Sequence, residues 1–380
     1  MDVLFVLSVG LIAYGYVAYP LVVVGMGLWS RRAYRRDDYF VPAVTLIISA
    51  YNEEQVIEEK LRNSLALDYP RDRFEIIVAS ESGDGTNDIV KRYGARGVAL
   101  RAFSGRLGKS ATLYRVVPSA RGDVLIFSDA NSMYRPDAIR KLARNFADPS
   151  VGAVMGQMYY GEHSQSVGAQ GEGLYWSYDL WLRKHAARVH GLVPGVNGAL
   201  FGIRKSLYLP ITEDRGDDYE LCTRIAIQGH AVAFEPEAVA VESASETTPQ
   251  QFRRKMRLVR WNTMSSLLLL REAVAFRRWV VAFQLVSHRL LRYSVPVWLL
   301  VAFGSSAVLA SRSSTFALLL AIQGAFYAVS LAGLAADAAG LRLPKLCMIP
   351  SYFLMVNSAA FMGILSGISR GQVTLWQKAR

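Results

Sequence analysis

The feature that most constrains this chain is a long uncharged segment near its start. Residues 3–29 contain no Lys, Arg, Asp, Glu or His. At about 1.5 Å of rise per residue, a helix of this length crosses a hydrocarbon core of about 30 Å. A cleaved secretory signal starts with basic residues, whereas this chain starts with Asp2 and carries its basic cluster afterwards, at residues 31–36. We therefore predict that residues 1–30 form a retained transmembrane anchor.

Three further apolar segments crowd the other end of the chain, at roughly residues 294–310, 315–336 and 346–368. We predict transmembrane helices across residues 294–370. The first segment is short unless its helix begins nearer Val280, and the last contains Pro350 and Asn357, so an interfacial or re-entrant segment is an alternative. The basic cluster after the first segment predicts a cytoplasmic location for the central region, because positive residues favour that side.

The net charge of +12 is unevenly distributed along the chain. Basic residues concentrate just before the C-terminal apolar segments, where they would face anionic lipid headgroups. We predict basic interfacial helices at residues 251–293, with membrane lipids rather than nucleic acid as the partner and with part of the cluster serving a phosphate-bearing substrate. The cluster comprises Arg253, Arg254, Lys255, Arg257, Arg260, Arg271, Arg277, Arg278, Arg289 and Arg292. The two cysteines, Cys222 and Cys347, lie far apart in sequence and support neither a disulfide framework nor a cysteine metal site.

The central region alternates apolar runs with helical periodicity. Apolar, β-branched runs predict strands buried on both faces, at residues 44–49, 74–79, 98–103 and 124–128. Helical spacing is found between them, for example at residues 53–67. The alternation predicts an α/β domain with a Rossmann-like, mostly parallel sheet across residues 41–250. No Gly-x-Gly-x-x-Gly follows the first strand and no Gly-x-x-x-x-Gly-Lys-Ser/Thr occurs anywhere, so a dinucleotide-binding fold or a P-loop nucleotidase is a poor fit.

Polar residues follow several of the predicted strands. Ala50, Tyr51, Asn52 and Glu53 come after the first strand, Glu81 after the second, and Asp129 and Asn131 after the fourth. Ligands of such sheets bind beyond the carboxyl ends of the strands. Carboxylate and amide oxygens suit Mg²⁺ or Mn²⁺, so these positions favour metal-assisted chemistry. The alternative is that the Asp129–Asn131 segment caps a helix that Pro136 helps to start.

At these residues the chain resembles a known family. Residues 44–131 are similar to the nucleotide-binding half of family 2 glycosyltransferases with the GT-A fold, and the resemblance covers about residues 43–262. It is carried by an ordered set of motifs: Ile48-Ser-Ala-Tyr-Asn-Glu-Glu54, Asp84-Gly-Thr86, Gly108-Lys109, Asp129-Ala-Asn131, Gly195-Val-Asn-Gly-Ala199, Asp217-Asp218 and Arg257-Leu-Val-Arg260-Trp261. The last resembles the Gln-x-x-Arg-Trp motif of membrane-bound synthases, with Arg257 in place of Gln.

The resemblance implies a set of donor-binding residues. Asp129 would be a direct ligand of Mg²⁺ or Mn²⁺, and Asn131 a neutral oxygen ligand or a contact to ribose or water. Glu81 would bind the nucleotide base, with Ser80 as a competing alignment, and Lys109 would approach the diphosphate. Arg257, Arg260 and Trp261 would clamp phosphate oxygens, with Trp261 packing beside Arg260. Residues 50–53 complete this set, and the alternative for the arginines is an amphipathic helix at the membrane surface.

The resemblance also implies an acceptor side and a reaction. Asn197 and Gly198 lie in a loop similar to the acceptor-side loop of the family. Asp218 would act as the base in a single inverting displacement, with Asp217 orienting it. The alternative for Asp217 and Asp218 is that they only cap the helix that follows them.

The whole pattern predicts an integral membrane glycosyltransferase with a cytoplasmic catalytic domain. It would move a hexose-type sugar from a nucleoside-diphosphate sugar to a lipid-linked or polysaccharide acceptor. One alternative is a processive synthase resembling those of cellulose, chitin or hyaluronan, although Arg257 and the small number of apolar segments count against it. The other is a non-catalytic nucleotide-sugar-binding membrane scaffold.

Overall fold

The structure, a computed structural model, describes residues 1–30, 33–105, 107–161, 178–211, 217–242, 247–341 and 344–369. An α/β domain lies between apolar helices that come from both ends of the chain. The predicted GT-A architecture, with a mostly parallel sheet and apolar helices near both termini, is confirmed.

The domain is built on one sheet of eight strands with the order β3-β2-β1-β4-β7-β6-β8-β5. Strands β1, β2, β3 and β4 pair in parallel, as do β6 and β8, while β7 and β5 pair antiparallel with their neighbours. The first four strands are those predicted from the apolar runs. The strands are β1 Val44–Ala50, β2 Phe74–Ser80, β3 Val98–Ala102, β4 Val124–Asp129, β5 Met133–Tyr134, β6 Val151–Tyr160, β7 Phe201–Arg204 and β8 Ala231–Glu242.

The helices fall into two groups, those that cover the sheet and those of 25 residues or more. The first group is α2 Ile57–Leu65, α3 Thr86–Arg92, α4 Lys109–Val116, α5 Ala138–Ala143, α6 at residues 178–186 and α7 Asp217–Ile227. The second is α1 Asp2–Ser30, α8 Thr248–Ala275, α9 Trp279–Leu309, α10 Ser314–Ala338 and α11 Lys345–Ser369. Helix α9 begins at Trp279. The first of the three C-terminal apolar segments is therefore the longer helix that a start near Val280 would give.

The register of the parallel strands sets the position of the functional loops. Ser49 pairs with Asp129, and Ala50 pairs with Ser80. The carboxyl ends of β1, β2 and β4 therefore end level with one another, at a single edge of the sheet. The loops that follow these three strands must share that edge, as expected for ligand binding in α/β folds.

The core lies on both faces of the sheet because side chains alternate along each strand. Val44, Leu46 and Ile48 of β1 pack with α2 and α5 on one face, while Ile47 packs with Phe127 of β4 on the other. All of these side chains are buried. Full burial of each such side chain contributes roughly 1.5–3 kcal/mol, so the central strands form a rigid platform for the loops at their ends.

Within the described ranges, four helices are long and apolar enough to cross a membrane by length and composition: Asp2–Ser30, Trp279–Leu309, Ser314–Ala338 and Cys347–Gly367. Their exposed surfaces are rich in large apolar side chains, such as Leu21, Leu300 and Leu318. Such surfaces are rare on soluble monomers and are typical of contact with lipid.

Candidate active site at the carboxyl edge of the sheet

Hydrogen bonds join the loops that follow β1 and β2. The Asn52 N–H donates to Ser82 Oγ at 2.8 Å, and the Gly83 N–H donates to Asn52 Oδ1 at 2.9 Å. Asn52 adopts a φ of 54°, a left-handed conformation that asparagine tolerates better than most residues. The Glu53 N–H donates to Thr86 Oγ1 at 2.9 Å. The predicted donor loop is therefore fixed to the start of α3 before any ligand binds.

Glu81, the predicted base contact, follows directly from β2, and its N–H donates to the Ala50 carbonyl at 3.1 Å. Its carboxylate accepts hydrogen bonds from the Gly108 N–H at 3.1 Å and from the Thr112 hydroxyl. Gly108 has a φ of 88°, which favours glycine because other residues strain there. Glu81 thus fixes the start of α4, and a contact with the base remains a prediction.

Lys109 and Asp129 form an ion pair at the end of β4. Lys109 is the first residue of α4, and its Nζ lies 2.8 Å from Asp129 Oδ1. Their side chains are 15% and 33% exposed, respectively, so the pair lies inside a cleft but remains accessible. The fixed start of α4 therefore positions a positive charge beside the carboxylate that the sequence predicts as a metal ligand.

Gly198 marks the point where the predicted residues meet. A Cβ placed on Gly198 would lie 3.5 Å from Asp218 Oδ2, 3.6 Å from Lys109 Nζ and 3.7 Å from Asp129 Oδ2. Two carboxylates and one ammonium group therefore face a single point within 4 Å. Lys109 and Asp218 lie about a hundred positions apart in sequence. They converge because β4 ends here, α4 and α7 begin here, and the loop before β7 contains Gly198.

Asp218 lies at the start of α7, and the two oxygens of its carboxylate have different neighbours. Oδ1 accepts a hydrogen bond from the Tyr219 N–H at 2.7 Å, while Oδ2 faces the point above Gly198. Asp218 therefore contacts the backbone at the start of α7 and also faces the cleft, and its role as a base remains a prediction. Asp217 begins the helix, and its side chain lies outside the described part of the structure.

The loop containing Asn197 and Gly198 is held in place by Tyr134 of β5. The hydroxyl of the buried Tyr134 donates to the Ala199 carbonyl at 2.8 Å. Asn197 Oδ1 accepts a hydrogen bond from the Ala199 N–H at 3.0 Å. Asn197 Nδ2 is buried and has no hydrogen-bond partner in the parts of the chain that the structure describes. A buried donor of this kind usually indicates a missing partner, which fits the predicted acceptor side.

The segment from Asp129 to Asn131 is a turn between two strands and does not cap a helix. Strand β4 ends at Asp129, the Ser132 N–H donates to the Asp129 carbonyl at 3.3 Å, and β5 follows. Helix α5 begins only at Ala138. The capping alternative is therefore wrong. Asn131 is half-buried in this turn, and its role as a second metal ligand remains a prediction.

Two residues that the sequence did not indicate hold this turn in place from α2. The buried Lys60 Nζ donates to the Ser132 carbonyl. Asn63 bonds both backbone groups of Tyr134, donating to its carbonyl at 2.8 Å and accepting from its N–H at 2.9 Å. The signal was present in the sequence, since Lys60 lies on the apolar stripe of α2 between Ile57 and Leu61.

Burial changes the ionisation of Lys60. Loss of solvation lowers the pKa of Lys60 to about 7, although Asp129 and Glu242 act in the opposite direction. A buried ammonium group loses water that protein groups must replace. Ser132 supplies one such group and also donates its hydroxyl to Glu242. The turn that carries Asp129 thus rests on a buried polar network.

Arg257, Arg260 and Trp261 lie on α8. The guanidinium of Arg257 lies 5.4 Å from the centre of the Trp261 ring, so Arg257 contacts the ring that the sequence suggested for Arg260. A Cβ added at Gly367 of α11 would lie 3.7 Å from Arg260 Cγ, which shows that the Arg260 stem packs on that helix. Phosphate binding by these residues remains a prediction.

The oxygen ligands at Gly198 are compatible with a divalent metal. Mg²⁺ is usually held by one or two carboxylates together with substrate phosphates rather than by an all-protein cage. Asp129 and Asp218 supply two carboxylate oxygens facing one point. Among the described residues no group of three or more His, Cys, Asp or Glu side chains is arranged to hold a metal alone. A metal here would therefore depend on phosphate oxygens from a substrate.

A comparison with protein families gives one match over the centre of the chain. The family described as glycosyltransferase like family 2 matches residues 42–262. This range includes the loops after β1, β2 and β4, the Gly198 loop, Asp218 and the Arg257–Trp261 segment.

Curated proteins also match parts of the chain. The chain is 27% identical over 256 residues to the probable glycosyltransferase YdaM of Bacillus subtilis, covering 64% of this chain and 61% of that protein. It is 27% identical over 157 residues to the beta-monoglucosyldiacylglycerol synthase of Trichormus variabilis, covering 40% and 34% of the two chains. The chain thus spans three fifths or less of the length of these relatives.

Among solved structures, the mannosyltransferase PcManGT from Pyrobaculum calidifontis is similar over almost the whole chain. The TM-score is 0.71 at 22% identity, and the match covers 96% of this chain and 99% of that one. At this identity the similarity shows the fold alone. It extends to the helices at both ends of the domain.

Proposed function

The chain belongs to glycosyltransferase family 2, and from that premise we propose that it transfers a hexose-type sugar from a nucleoside diphosphate to a lipid-linked or polysaccharide acceptor, with inversion at the anomeric carbon. The observation that carries this proposal is the convergence of Asp129, Lys109 and Asp218 on one point above Gly198. A displacement at a sugar carbon needs a base on one side and a charge-stabilised leaving group on the other, and in this proposal the residues of the cleft would supply both.

Asp129 and Lys109 form the donor side. The Lys109 ammonium group would pair with diphosphate oxygens as a point charge. Asp129 would turn its Oδ2 to a divalent cation, with Asn131 as a further oxygen. When bound, Mg²⁺ or Mn²⁺ neutralises the charge that develops on the departing diphosphate. Support for this assignment comes from the related PcManGT structure, which contains GDP-Man and Mn²⁺.

Asp218 is the proposed base. Its Oδ2 would accept the proton of the acceptor hydroxyl as that oxygen forms a bond to the anomeric carbon and the bond to the diphosphate breaks. The N–H of Tyr219 on Oδ1 fixes the orientation of the carboxylate. Asn197, whose buried Nδ2 has no hydrogen-bond partner among the described residues, would donate to an acceptor oxygen. Asp217 would orient these groups.

The acceptor side faces a membrane in this proposal. The four candidate spans support an integral membrane protein, and the basic cluster after α1 supports a cytoplasmic catalytic domain. The similarity to a beta-monoglucosyldiacylglycerol synthase supports a lipid-linked acceptor over a free one.

A donor panel tests the proposal. The full-length protein in detergent, with Mn²⁺ and a set of sugar nucleotides, is assayed for nucleoside diphosphate release with and without a membrane-lipid extract as acceptor. We expect one donor to give release that rises with added lipid, and NMR of the isolated product to show the opposite anomeric configuration. No release with any donor would refute the proposal, and long polymeric products would instead indicate a processive synthase.

A further inference from the structure

Two π-helical turns face each other where the bundle meets the domain. One is Tyr14–Ala18 within α1, and the other is Leu285–Leu290 within α9. The Tyr14 and Ser287 hydroxyls lie 2.8 Å apart. The Tyr19 ring stacks on His288, with a centroid distance of 5.0 Å and an interplanar angle of 9°. Such turns are rare and occur frequently at functional sites, and here two of them build one contact.

Cationic side chains concentrate at this contact. Arg292 Nη1 lies 3.4 Å from His288 Nε2, and its guanidinium lies 5.4 Å from the Tyr16 ring centre. Arg289 donates to the Tyr293 hydroxyl at 3.2 Å. Ionisable residues on an apolar helix are costly and usually mark a functional site. We name this cluster the basic junction, and it consists of Tyr14, Tyr16, Tyr19, His288, Arg289 and Arg292.

The packing on either side places the basic junction at the boundary between protein and lipid. On the N-terminal side of α9, Gln284 bonds the backbone of Val193 in the domain at 2.7 and 2.8 Å. On the other side, a Cβ added at Gly15 would lie 3.8 Å from Val295 Cγ2, and α9 continues as an apolar helix to Leu309. With α1 and α9 as membrane spans, the arginines would therefore lie near the level of the lipid headgroups.

The basic junction also contacts α7, the helix that carries the proposed base. The Arg289 guanidinium lies 4.5 Å from the centre of the Tyr219 ring. Tyr219 follows Asp218 in the first turn of α7 and bonds Ser266 of α8 at 2.9 Å. The basic junction therefore contacts the first turn of α7, the helix that carries the proposed base.

Resting on the proposed function, we infer that the basic junction binds the phosphate of a lipid phosphate that carries or is the acceptor. Arginine presents a planar set of N–H donors that matches phosphate oxygens. His288, Arg289 and Arg292 are half-buried, so a bound phosphate would be partly desolvated and held strongly. The apolar surface of α9 beyond the junction would accompany the lipid chain.

A lipid phosphate fits this place better than a soluble anion. In the proposed membrane orientation, the phosphate of a membrane lipid would be level with the basic junction. The donor diphosphate, in contrast, is assigned to Lys109 and Asp129 above Gly198. The proposal therefore requires two separate phosphate sites in one protein, one for the donor and one for the lipid.

The test measures binding and requires no turnover, so it stands independently of the donor assay. Full-length protein in detergent is titrated with decaprenyl monophosphate, decaprenol, inorganic phosphate and the nucleotides UDP and GDP, with native mass spectrometry as the readout. We expect decaprenyl monophosphate to bind at least tenfold more tightly than decaprenol. Arg289→Gln and Arg292→Gln should each weaken that binding about tenfold or more and leave nucleotide binding within twofold.

Two further variants serve as controls. Arg312→Gln, at an exposed position beyond the end of α9, should bind all probes as the wild type does. Arg292→Lys keeps the charge and should retain more of the lipid binding than Arg292→Gln at an equal melting temperature. Equal binding of decaprenol and its phosphate would overturn the proposal. So would inorganic phosphate competing as strongly as the lipid, or an equal loss of nucleotide binding in the glutamine variants.

Discussion

The cleft above Gly198 and the basic junction are assembled in opposite ways. The cleft collects residues from the ends of parallel strands and from helix starts, and its chemistry combines two carboxylates with one lysine. The basic junction collects residues from the two facing π-helical turns of α1 and α9 and from positions beside them, and its described contacts involve guanidinium, imidazole and phenol groups. A mixed-charge cleft suits a cation-bridged diphosphate, whereas a cationic junction suits an anionic lipid head.

This difference teaches how one chain separates its two substrates. Both regions lie near α7, since Asp218 faces the cleft while Tyr219 contacts Arg289. The cleft belongs to the rigid sheet, whose strands are buried on both faces. The junction belongs to the contact between domain and bundle. Changes in one region should therefore leave the binding function of the other intact.

The largest expected effect comes from Asp218→Asn, which removes the proposed base and keeps the shape of the side chain. Transfer should fall by about 10²–10⁴-fold, the usual contribution of a positioned base. Donor affinity should change less than about threefold, and decaprenyl monophosphate binding should not change. Steady-state rates and calorimetry with nucleotide measure these quantities. Asp88→Asn, at an exposed position, is the matched control, and unchanged turnover in Asp218→Asn would remove this residue as the base.

Gly198→Ala should act on the cleft by filling it. The new methyl group would lie 3.5 Å or more from its neighbours, so the fold should keep its stability within about 1 kcal/mol. It would occupy the point that Asp129 and Asp218 face, and we expect donor affinity in the presence of Mn²⁺ to fall about tenfold. Calorimetry checks this, with Gly94→Ala, which meets nothing within 4 Å, as control. A tighter or unchanged donor complex would mean that the nucleotide lies elsewhere.

Glu81→Gln should have a smaller effect, because it weakens the hold on the start of α4 without removing a reacting group. One carboxylate oxygen is replaced by an amide nitrogen that cannot accept a hydrogen bond from Gly108 or Thr112. We expect a three- to tenfold rise in KM for the donor, with kcat changing less. Titrations with UDP and GDP should weaken by the same factor. A loss confined to one base would show that Glu81 reads the base directly.

An effect of a different kind, on the pH dependence of stability, is expected through Lys60. The pKa of Lys60 is lowered to about 7 in the folded protein, whereas an unfolded lysine titrates near 10.4. Between these values the unfolded chain binds more protons, so stability rises with pH in this window. Lys60→Met should lack this rise, and its melting temperature relative to the wild type should be most favourable near pH 7 and fall toward pH 10. A pH-independent difference would show that Lys60 keeps an ordinary pKa.

Most of the cleft could be predicted from the sequence because topology places strand ends together. The apolar runs at β1, β2 and β4 identified the strands, and parallel pairing then required residues 50–53, Glu81 and Asp129 to share an edge. The Asp218 position depended on the family resemblance, since nothing in its local sequence points toward Gly198. Each of these predictions used a short segment and a general rule of α/β folds.

The remaining features depend on packing that no local pattern specifies. The position of Lys60 on the apolar stripe of α2 indicates burial, but its contacts with Ser132 and with the Tyr134 ring depend on how the turn packs on the helix. The π-turns at Tyr14–Ala18 and Leu285–Leu290 leave the apolar pattern of α1 and α9 unchanged. Arg289 and Arg292 were predicted to face lipid headgroups as members of a basic cluster, and only the helix packing distinguishes them from the other members.

The central claim is that residues on both sides of Gly198 act on one donor. It is tested most directly by determining the structure of the protein with Mn²⁺ and the sugar nucleotide that the donor panel identifies. The account predicts a metal bound to an Asp129 oxygen, Lys109 beside the diphosphate, and the anomeric carbon of the sugar facing Asp218 Oδ2. A nucleotide bound away from Gly198, or Asp129 and Asp218 contacting different ligands in separate cavities, would contradict it.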